Sequence, residues 1–376
     1  MSNIILPPAT IGIIGGGQLG RMMAIAAKQM GYKIAVLEPI KNGPLAQVAD
    51  IEINAPYEDK VALTTLLKQC DVVTYEFENI DSHLIETLKS IGYLPQGSRP
   101  LALTQHRLIE KQAIEKAGFK VAPYASVTDF KTLEVVVNHI GYPCILKTVR
   151  GGYDGKGQWM LKDKTALESV KKVLINQPCV LEGFIPFDKE LSIIVTRSTK
   201  GEIQTFPISE NVHINHILHQ SIVPARVSQD ILEKAEMLAK QLIQSLDFVG
   251  TLAIELFLKG DELIINELAP RPHNSGHYTI EGCNISQFEQ HVRAITGLPL
   301  IKPKLHGNCV MINILGQHVS YVLNQLQTEN LACGKLHLYG KEENKLMRKV
   351  GHVTFMHEDI IKLEQIVDRF LMNFGE

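Results

Sequence analysis

Between Thr10 and Leu37 the chain runs strand, glycine turn, helix, strand, and that succession constrains its fold more than any other segment. Thr10–Ile14 is β-branched and apolar. Gly15-Gly16-Gly17 opens a helix through Arg21–Met30, Gly31 ends it, and Lys33–Leu37 forms the next strand. Asp71–Tyr75 (DVVTY) reads as another strand of the same sheet. Strands alternating with helices predict a parallel, doubly wound sheet over roughly the first hundred residues.

The pattern then changes. The turn-rich segment 95–100 (PQGSRP) marks a boundary, and a helix is expected from Gln105 to Ala117, stopped by Gly118. A compact α/β stretch follows: strand Cys144–Thr148, a glycine-rich turn, strand Gln158–Leu161, a helix near Thr165–Leu174 and strand Val180–Phe184. From Glu190 strands dominate, interrupted by a helix over Asp230–Leu246. Phe248–Leu258 and Glu262–Glu267 make a hairpin around Lys259-Gly260-Asp261. A chain of 376 residues exceeds one compact core. Three units are expected: 1–103, 104–186 and 187–376.

A net charge of −2 removes the electrostatic case for nucleic acid or an anionic membrane, so any anionic ligand needs locally placed charge. The six cysteines, at 70, 144, 179, 283, 309 and 333, form no CxxC pair and are expected as buried free thiols. Neither a signal-peptide pattern nor an apolar run of membrane-spanning length is evident, and a cytoplasmic enzyme is the expectation.

Residues 15–20 satisfy GxGxxG between a strand and a helix, and Glu38 ends the following strand. Three readings stay open: a dinucleotide fingerprint with its ribose-binding acid, a tight turn that needs glycine, or helix N-terminal amides holding another anion such as a sugar phosphate. A separate ATP site and the lack of hydride-transfer residues favour the third.

That ATP site rests on several segments. Gly151–Gly157 carries four glycines in seven residues, a hairpin tip whose amides can approach phosphates, with Lys147 adding a cation. No Gly-Lys-Ser/Thr follows, so it is not a Walker A loop. Val180–Ile185 can read an adenine along a strand edge, and Glu190 can take ribose hydroxyls. The hairpin sets Glu255 roughly opposite Glu267, with Asn266 alongside, a hard oxygen site suited to Mg²⁺ among apolar neighbours. Glu262 reads instead as a solvated strand residue. Arg271 in the loop 269–277 can bind a carboxylate or bicarbonate bidentately, with His273 and Asn274 adding hydrogen bonds. Lys341, Lys345, Arg348 and Lys349 form a basic cluster that suits a substrate phosphate or a solvated loop.

In order along the chain, these segments resemble the ATP-grasp superfamily. Within it they resemble the N5-carboxyaminoimidazole ribonucleotide synthetases, through GIIGGGQLGRM, YEFENI (75–80), LKTVRGGYDGKGQ (146–158), NELAPRPHNSGH (266–277), HLYGK and RKVGH. The resemblance implies an α/β and α+β chain with an ATP-grasp fold: a biotin-carboxylase-like N-terminal sheet, a small central α/β lobe and a C-terminal mixed-sheet lobe. It implies a homodimer that uses ATP, bicarbonate and aminoimidazole ribonucleotide through carboxyphosphate, with no nucleic-acid or membrane partner. By matching position, ATP would meet Arg107, Lys147, Gly152, Tyr153, Asp154, Gly155, Lys156, Gly157, Gln158, Glu182, Gly183, Phe184, Ile185, Glu190, His213, Asn266 and Glu267. Glu255 and Glu267 would hold magnesium. The ribonucleotide would lie near Gly16, Gln18, Leu19, Glu76, Tyr153 and Asp154, its phosphate on Lys341 and Arg348. Arg271, His273, Asn274 and Asp154 would serve the chemistry. Lys156 and Lys345 stand where arginine is frequent, keeping the charge without the planar fork. A formate-using ribonucleotide transformylase, a nicotinamide- or flavin-binding protein and a non-catalytic ATP-binding regulator are the alternatives.

Overall fold

The computed structural model describes residues 4–152, 156–327, 333–372 and 374, with the backbone alone at 175 and 176. Its three sheets follow one another along the chain. The first comprises β1 (Thr10–Ile14), β2 (Lys33–Leu37), β3 (Ile51–Ile53) and β4 (Val72–Tyr75), in the order β3-β2-β1-β4 with every pairing parallel. Side-chain alternation covers both faces. Ile11 and Ile13 join Met22 and Met23 of helix Gln18–Gln29 on one side, while Ile14 and Val73 join Leu63 and Leu66 of helix Lys60–Gln69 on the other. Strand order reverses at β1, so a crevice forms where β1 and β4 end, at the glycine turn and at Glu76.

The second sheet comprises β5 (Tyr124–Val127), β6 (Cys144–Thr148), β7 (Gln158–Leu161) and β8 (Cys179–Gly183), antiparallel in the order β5-β8-β6-β7 around a core of its own. The third comprises β9 (Lys189–Arg197), β10 (Ile203–Thr205), β11 (Ser209–Ile214), β12 (Ile217–Val223), β13 (Gly250–Lys259), β14 (Glu262–Ala269), β15 (Asn308–Leu315), β16 (Gly334–Leu338) and β17 (Lys349–His357). Its path is β14-β13-β9-β11-β12-β15-β17-β16, with β10 beside β9. These ladders are antiparallel, and the parallel component of the mixed sheet expected here reduces to the isolated bridge Val121–Ile265.

Helix Gln229–Leu246 covers the middle of the third sheet through Ile231, Ala235, Leu238, Leu242 and Leu246, one stripe at helical spacing. Helix Gln287–Thr296 shares a core with the first sheet, since Phe288, Val292 and Ile295 pack with Met22, Met23 and Ile34. The first and third sheets are thus held by common apolar packing. The second sheet joins the third through residues 184–188.

Several elements differ from expectation. The helix expected over 105–117 runs from Arg107 to Lys116, starting two residues late because His106 is extended (φ −133°, ψ 104°), and a separate short helix, Arg99–Thr104, precedes it. Residues 164–170 form a tighter 3₁₀ turn before helix Lys171–Asn176. Five of the cysteines are buried free thiols, and Cys333 is exposed.

Candidate active site

A two-residue turn at Gly260-Asp261, with Gly260 at φ +57°, pairs Lys259 with Glu262 and sets Glu255 opposite Glu267. A bulge makes Asn266 the extra residue of β14, which turns it toward the same side as its neighbours. Its Nδ2 lies 3.4 Å from Glu255 Oε2. Burial and the nearby Glu267 carboxylate push Glu255 up to about 7. His273 Nε2 is 3.3 Å from Glu255, and Arg107 Nη1 is 3.4 Å from Glu267. Behind them Glu110, buried and bonded to the Leu268 amide, is raised to about 8 by burial and by Glu267. Two facing carboxylates and an amide oxygen on one surface are a donor set suited to a hard divalent cation, which would also relieve their repulsion. Glu262 is half-exposed and pairs with Lys120, as expected for a solvated strand face.

The second sheet supplies the next group. Lys147 Nζ donates to Glu182 Oε2 at 2.8 Å, and Lys111 Nζ is 3.1 Å from Oε1. Burial alone would raise the Glu182 carboxyl, but Lys147, Lys111 and Arg107 hold it at about 2. β8 lies inside its sheet, paired to both β5 and β6, so Val180–Gly183 is not the strand edge foreseen from sequence. The chain leaves the sheet at Phe184, whose amide reaches the Pro143 carbonyl, while the Ile185 carbonyl accepts from Phe187. Glu190 on β9 meets the His213 ring, and the carboxylates of Glu190 and Glu255 raise that imidazole despite its burial.

The glycine hairpin between β6 and β7 closes with Thr148 donating to the Gly157 carbonyl, and Gln158 sits opposite Lys147. Gly151 and Gly157 adopt φ +77° and +70°. A Cβ at Gly152 would lie 2.9 Å from the Lys156 carbonyl and 3.2 Å from Arg107. Tyr153, Asp154 and Gly155, assigned from sequence to ATP, substrate and catalysis, lie outside the described residues. One pocket is lined by Glu78, Arg107, Gly152 and Glu267, residues drawn from four separate stretches of chain. A second, on the third sheet, is lined by Phe187, Glu190, Asn211 and His213.

In the loop 269–277, Arg271 gives its fork to Glu78, with Nε at 2.6 Å from Oε2 and Nη2 at 3.1 Å from Oε1. The bidentate face proposed for bicarbonate is therefore already engaged. Glu78 was missed from sequence although it lies in YEFENI, because nothing local links it to residue 271. Desolvation, reinforced by the Arg271 charge, keeps His273 neutral, and its Nδ1 shares a hydrogen with Ser275 Oγ at 2.9 Å. Ser275 is anchored by Ser192 on β9 at 2.6 Å. Asn274 is 7% exposed, yet neither of its side-chain polar atoms has a partner among the described residues. Buried amides are seldom left so without a ligand or water to meet them.

The N-terminal turn departs from expectation. The amides of Gly17 and Gly20 donate to Glu76, and that of Gly16 donates to Glu38 at 2.6 Å. These donors are taken by the chain's own carboxylates, so they hold neither a dinucleotide diphosphate nor a sugar phosphate in this conformation. The glycines permit the approach: a Cβ at Gly16 would come within 2.5 Å of Glu38, and one at Gly17 within 2.6 Å of Glu76. Burial raises the Glu76 carboxyl, partly offset by the Gly20 and Gly17 amides. Leu19 is half-buried in the same helix. Lys341 donates to Gln18 Oε1 at 2.6 Å and to the Lys349 carbonyl at 2.6 Å, tying the tail cluster to this turn. Arg348 is half-buried, and no hydrogen bond or ion pair among the described residues joins its side chain to Gly16, Gln18 or Glu76. Lys349, part of the basic cluster read from sequence, is the tail residue whose charge is felt at Glu255, His213 and His273.

Glu281, His337 and His352 bring donor atoms within 4.8 Å of one another. The two imidazoles stack nearly parallel (11°, 4.5 Å), and Glu281 already accepts from His337 at 2.6 Å. In-plane lone pairs on parallel rings do not converge, so this is a hydrogen-bonded cluster rather than a metal centre.

Three family matches tile the chain: a ribonucleotide synthetase preATP-grasp domain over residues 8–105, an ATP-grasp domain over 112–288 and a phosphoribosylaminoimidazole carboxylase C-terminal domain over 309–366. The N5-carboxyaminoimidazole ribonucleotide synthase of Bacillus subtilis strain 168 is 53% identical over 357 residues, 95% of this chain and 93% of its own length. That of Staphylococcus saprophyticus is 44% identical over 364 residues, 95% of each chain. A crystal structure of an N5-carboxyaminoimidazole ribonucleotide synthetase with ADP superimposes at TM-score 0.96 and 53% identity, covering 98% of both chains. An Aspergillus clavatus synthase in complex with ADP and 5-aminoimidazole ribonucleotide is similar at TM-score 0.90 and 30% identity, covering 99% of this chain and 98% of that one.

Proposed function

The chain belongs to the N5-carboxyaminoimidazole ribonucleotide synthase family of ATP-grasp enzymes, and on that premise we propose how its own residues divide the reaction. It is an ATP-dependent carbon–nitrogen ligase that carboxylates 5-aminoimidazole ribonucleotide in purine biosynthesis. Bicarbonate is the carboxyl donor. One of its oxygens attacks the γ-phosphorus of ATP, the bond to the β-phosphate oxygen breaks, and ADP leaves carboxyphosphate behind. That species, or CO₂ released from it in the closed site, is captured by the exocyclic amine. The amine loses a proton, and inorganic phosphate leaves.

The single observation that carries this division is the pocket at which Glu78, Arg107, Gly152 and Glu267 meet. Phosphoryl transfer asks for positioning and charge neutralisation rather than a protein nucleophile. Lys147 and Arg107, with the amides of 152–158, meet the phosphates. Phe184, Ile185 and Glu190 with His213 hold the adenosine beside the groove of the third sheet, and Glu182 and Gly183 orient that end. Glu255, Asn266 and Glu267 would hold Mg²⁺, which when bound neutralises phosphate charge. Arg271, His273 and Asn274 serve the bicarbonate end. Arg271 has its fork committed, so the anion meets its remaining Nη1 edge together with the unpartnered Asn274 amide. Gln18, Glu76, Lys341 and Arg348 take the ribonucleotide in the crevice at the switch point of the first sheet. A phosphate there relies on Lys341 and Arg348, because the amides of Gly16, Gly17 and Gly20 are occupied. Asp154 and Tyr153 complete the site from the loop. The units 1–103, 104–186 and 187–376 act as nucleotide-substrate, lid and metal-bearing parts of a cytoplasmic homodimer. Carboxyphosphate is labile in water, which gives the loop 151–157 its purpose as a lid.

The test is ADP release from Mg-ATP, with aminoimidazole ribonucleotide and bicarbonate supplied together and singly, and glycinamide ribonucleotide plus formate as control. Release that needs both aminoimidazole ribonucleotide and bicarbonate supports the assignment. Stimulation by the control pair alone would overturn it.

A further inference from the structure

Arg271 and Glu78 come from opposite sides of the cleft, and each sits on a braced segment. The loop after β4 that carries Glu78 is pinned by Gln105, whose Nε2 donates to the carbonyls of Glu78 and Ile80, both at 2.5 Å. Arg271 lies between Pro270 and Pro272, its amide bonded to the Ala269 carbonyl at 2.8 Å. The Pro270 carbonyl accepts from Gln96 Nε2 at 3.2 Å. Gln96 in turn accepts from Thr74 of β4, which meets the His291 ring at 2.9 Å. A flexible surface ion pair spends side-chain entropy to form, whereas here both backbones are fixed beforehand. The side chains are 17% and 27% exposed, so the contact is partly shielded from water. Burial would raise the Glu78 carboxyl, but the adjoining guanidinium holds it below the usual range, so the pair is ionised. Nε and Nη2 are spent on Glu78, while among the described residues Nη1 makes just a long contact, 3.4 Å to the Pro272 carbonyl.

We propose that Glu78 is a positioning residue for the carboxylation: through its two-point hold on Arg271 it fixes which edge of the guanidinium meets the one-carbon anion. This rests on the reading of Arg271 as the residue at the bicarbonate end. A guanidinium freed of Glu78 can rotate about its long side chain, and the anion then loses a preset donor. The pairing also couples the two sides of the cleft, since Glu78 follows the strand that ends beside Glu76.

The experiment compares KM for bicarbonate and for ATP in the wild type, Glu78→Gln, Arg271→Gln and the double variant, with thermal unfolding followed in parallel. In Glu78→Gln the bicarbonate KM is expected to rise about tenfold or more while the ATP KM stays within about twofold. In the Arg271→Gln background the same change adds less than about twofold, because Glu78 acts through Arg271. Glu78→Asp, which keeps the charge and shortens the reach, falls between wild type and Glu78→Gln. It carries the test if Glu78→Gln does not fold, and a wild-type bicarbonate KM in it would then overturn the assignment. An unchanged bicarbonate KM in folded Glu78→Gln, or a parallel rise in both constants with a lowered unfolding temperature, overturns it as well. Wild-type ADP release that does not need bicarbonate would instead overturn the functional reading on which it rests.

Discussion

Glu267 faces Glu255 across the hairpin and lies 3.4 Å from Arg107, so it sits between a repelling carboxylate and an attracting guanidinium. Glu267→Gln keeps the shape and removes the charge. Turnover is expected to fall about 100-fold or more, with the thermal midpoint moving by no more than about 2 °C. ADP release alongside thermal unfolding checks this, and near wild-type release would refute the metal assignment. Glu182 behaves in the opposite way. It is 4% exposed between Lys147 and Lys111, and Glu182→Gln leaves two enclosed ammonium groups without their counter-charge. The expected loss is about 3 to 5 kcal/mol of stability, read by urea unfolding at neutral pH. The folded carboxyl is held near 2, below its ordinary 4.5, so its contribution is present above pH 4.5 and disappears as pH falls toward 2. Glu267 was legible in the sequence because an acid stands out among Ile264, Ile265 and Leu268. Glu78 was not, because its partner Arg271 is remote in sequence and the residue is not unusual in its local setting. Lys349 was legible as part of a basic cluster, but its reach to the glutamate pair was not.

At the scale of elements, the glycine hairpin and the carboxylate hairpin were both readable from turn residues between apolar runs. What escaped was register and neighbourhood. The bulge that makes Asn266 extra depends on how β13 meets both β14 and β9, and the interior place of β8 depends on β5, which precedes it by some fifty residues. His106, extended, delays to Arg107 the start of a helix expected from Gln105. The glycine hairpin yields its own prediction. Gly157 holds φ +70°, and a Cβ there would lie 2.8 Å from Thr148 Oγ1. Gly157→Ala is expected to cost about 1 to 2 kcal/mol locally. The ATP KM then rises while global unfolding stays close to wild type, and steady-state kinetics with thermal unfolding decide it. An unchanged ATP KM would remove the loop from the nucleotide site.

For the whole molecule, acid sensitivity follows from buried neutral histidines at the junctions between sheets. His291 accepts from the Thr251 amide at Nδ1 and so donates from Nε2 to Thr74, linking the third sheet to the first. Burial lowers it to about 3, and desolvation keeps His273, His277 and His352 far below their ordinary value of 6.5. Between pH 6.5 and about 3 the unfolded chain binds protons that the folded one does not, so stability rises with pH in that window. Each such histidine contributes up to roughly 1.4 kcal/mol per pH unit. Denaturation midpoints are therefore expected to fall from about pH 6 downward, before carboxylates titrate, and less steeply in His291→Gln. A flat profile between pH 6.5 and 5 would contradict the burial argument.

Local pattern alone determined most strands and helices, the glycine hairpin and the facing glutamates, because those depend on side-chain periodicity and on turn residues a few positions apart. It also carried the family resemblance, since the motifs are contiguous. Tertiary structure decided which charges are already spent. Glu76 and Glu38 fill the amides that looked ready for a phosphate, and Glu78 fills the fork that looked ready for bicarbonate. Whether a donor is free depends on what else arrives within about 3 Å of it. That is set by packing between segments up to two hundred residues apart, which no local stretch of sequence encodes.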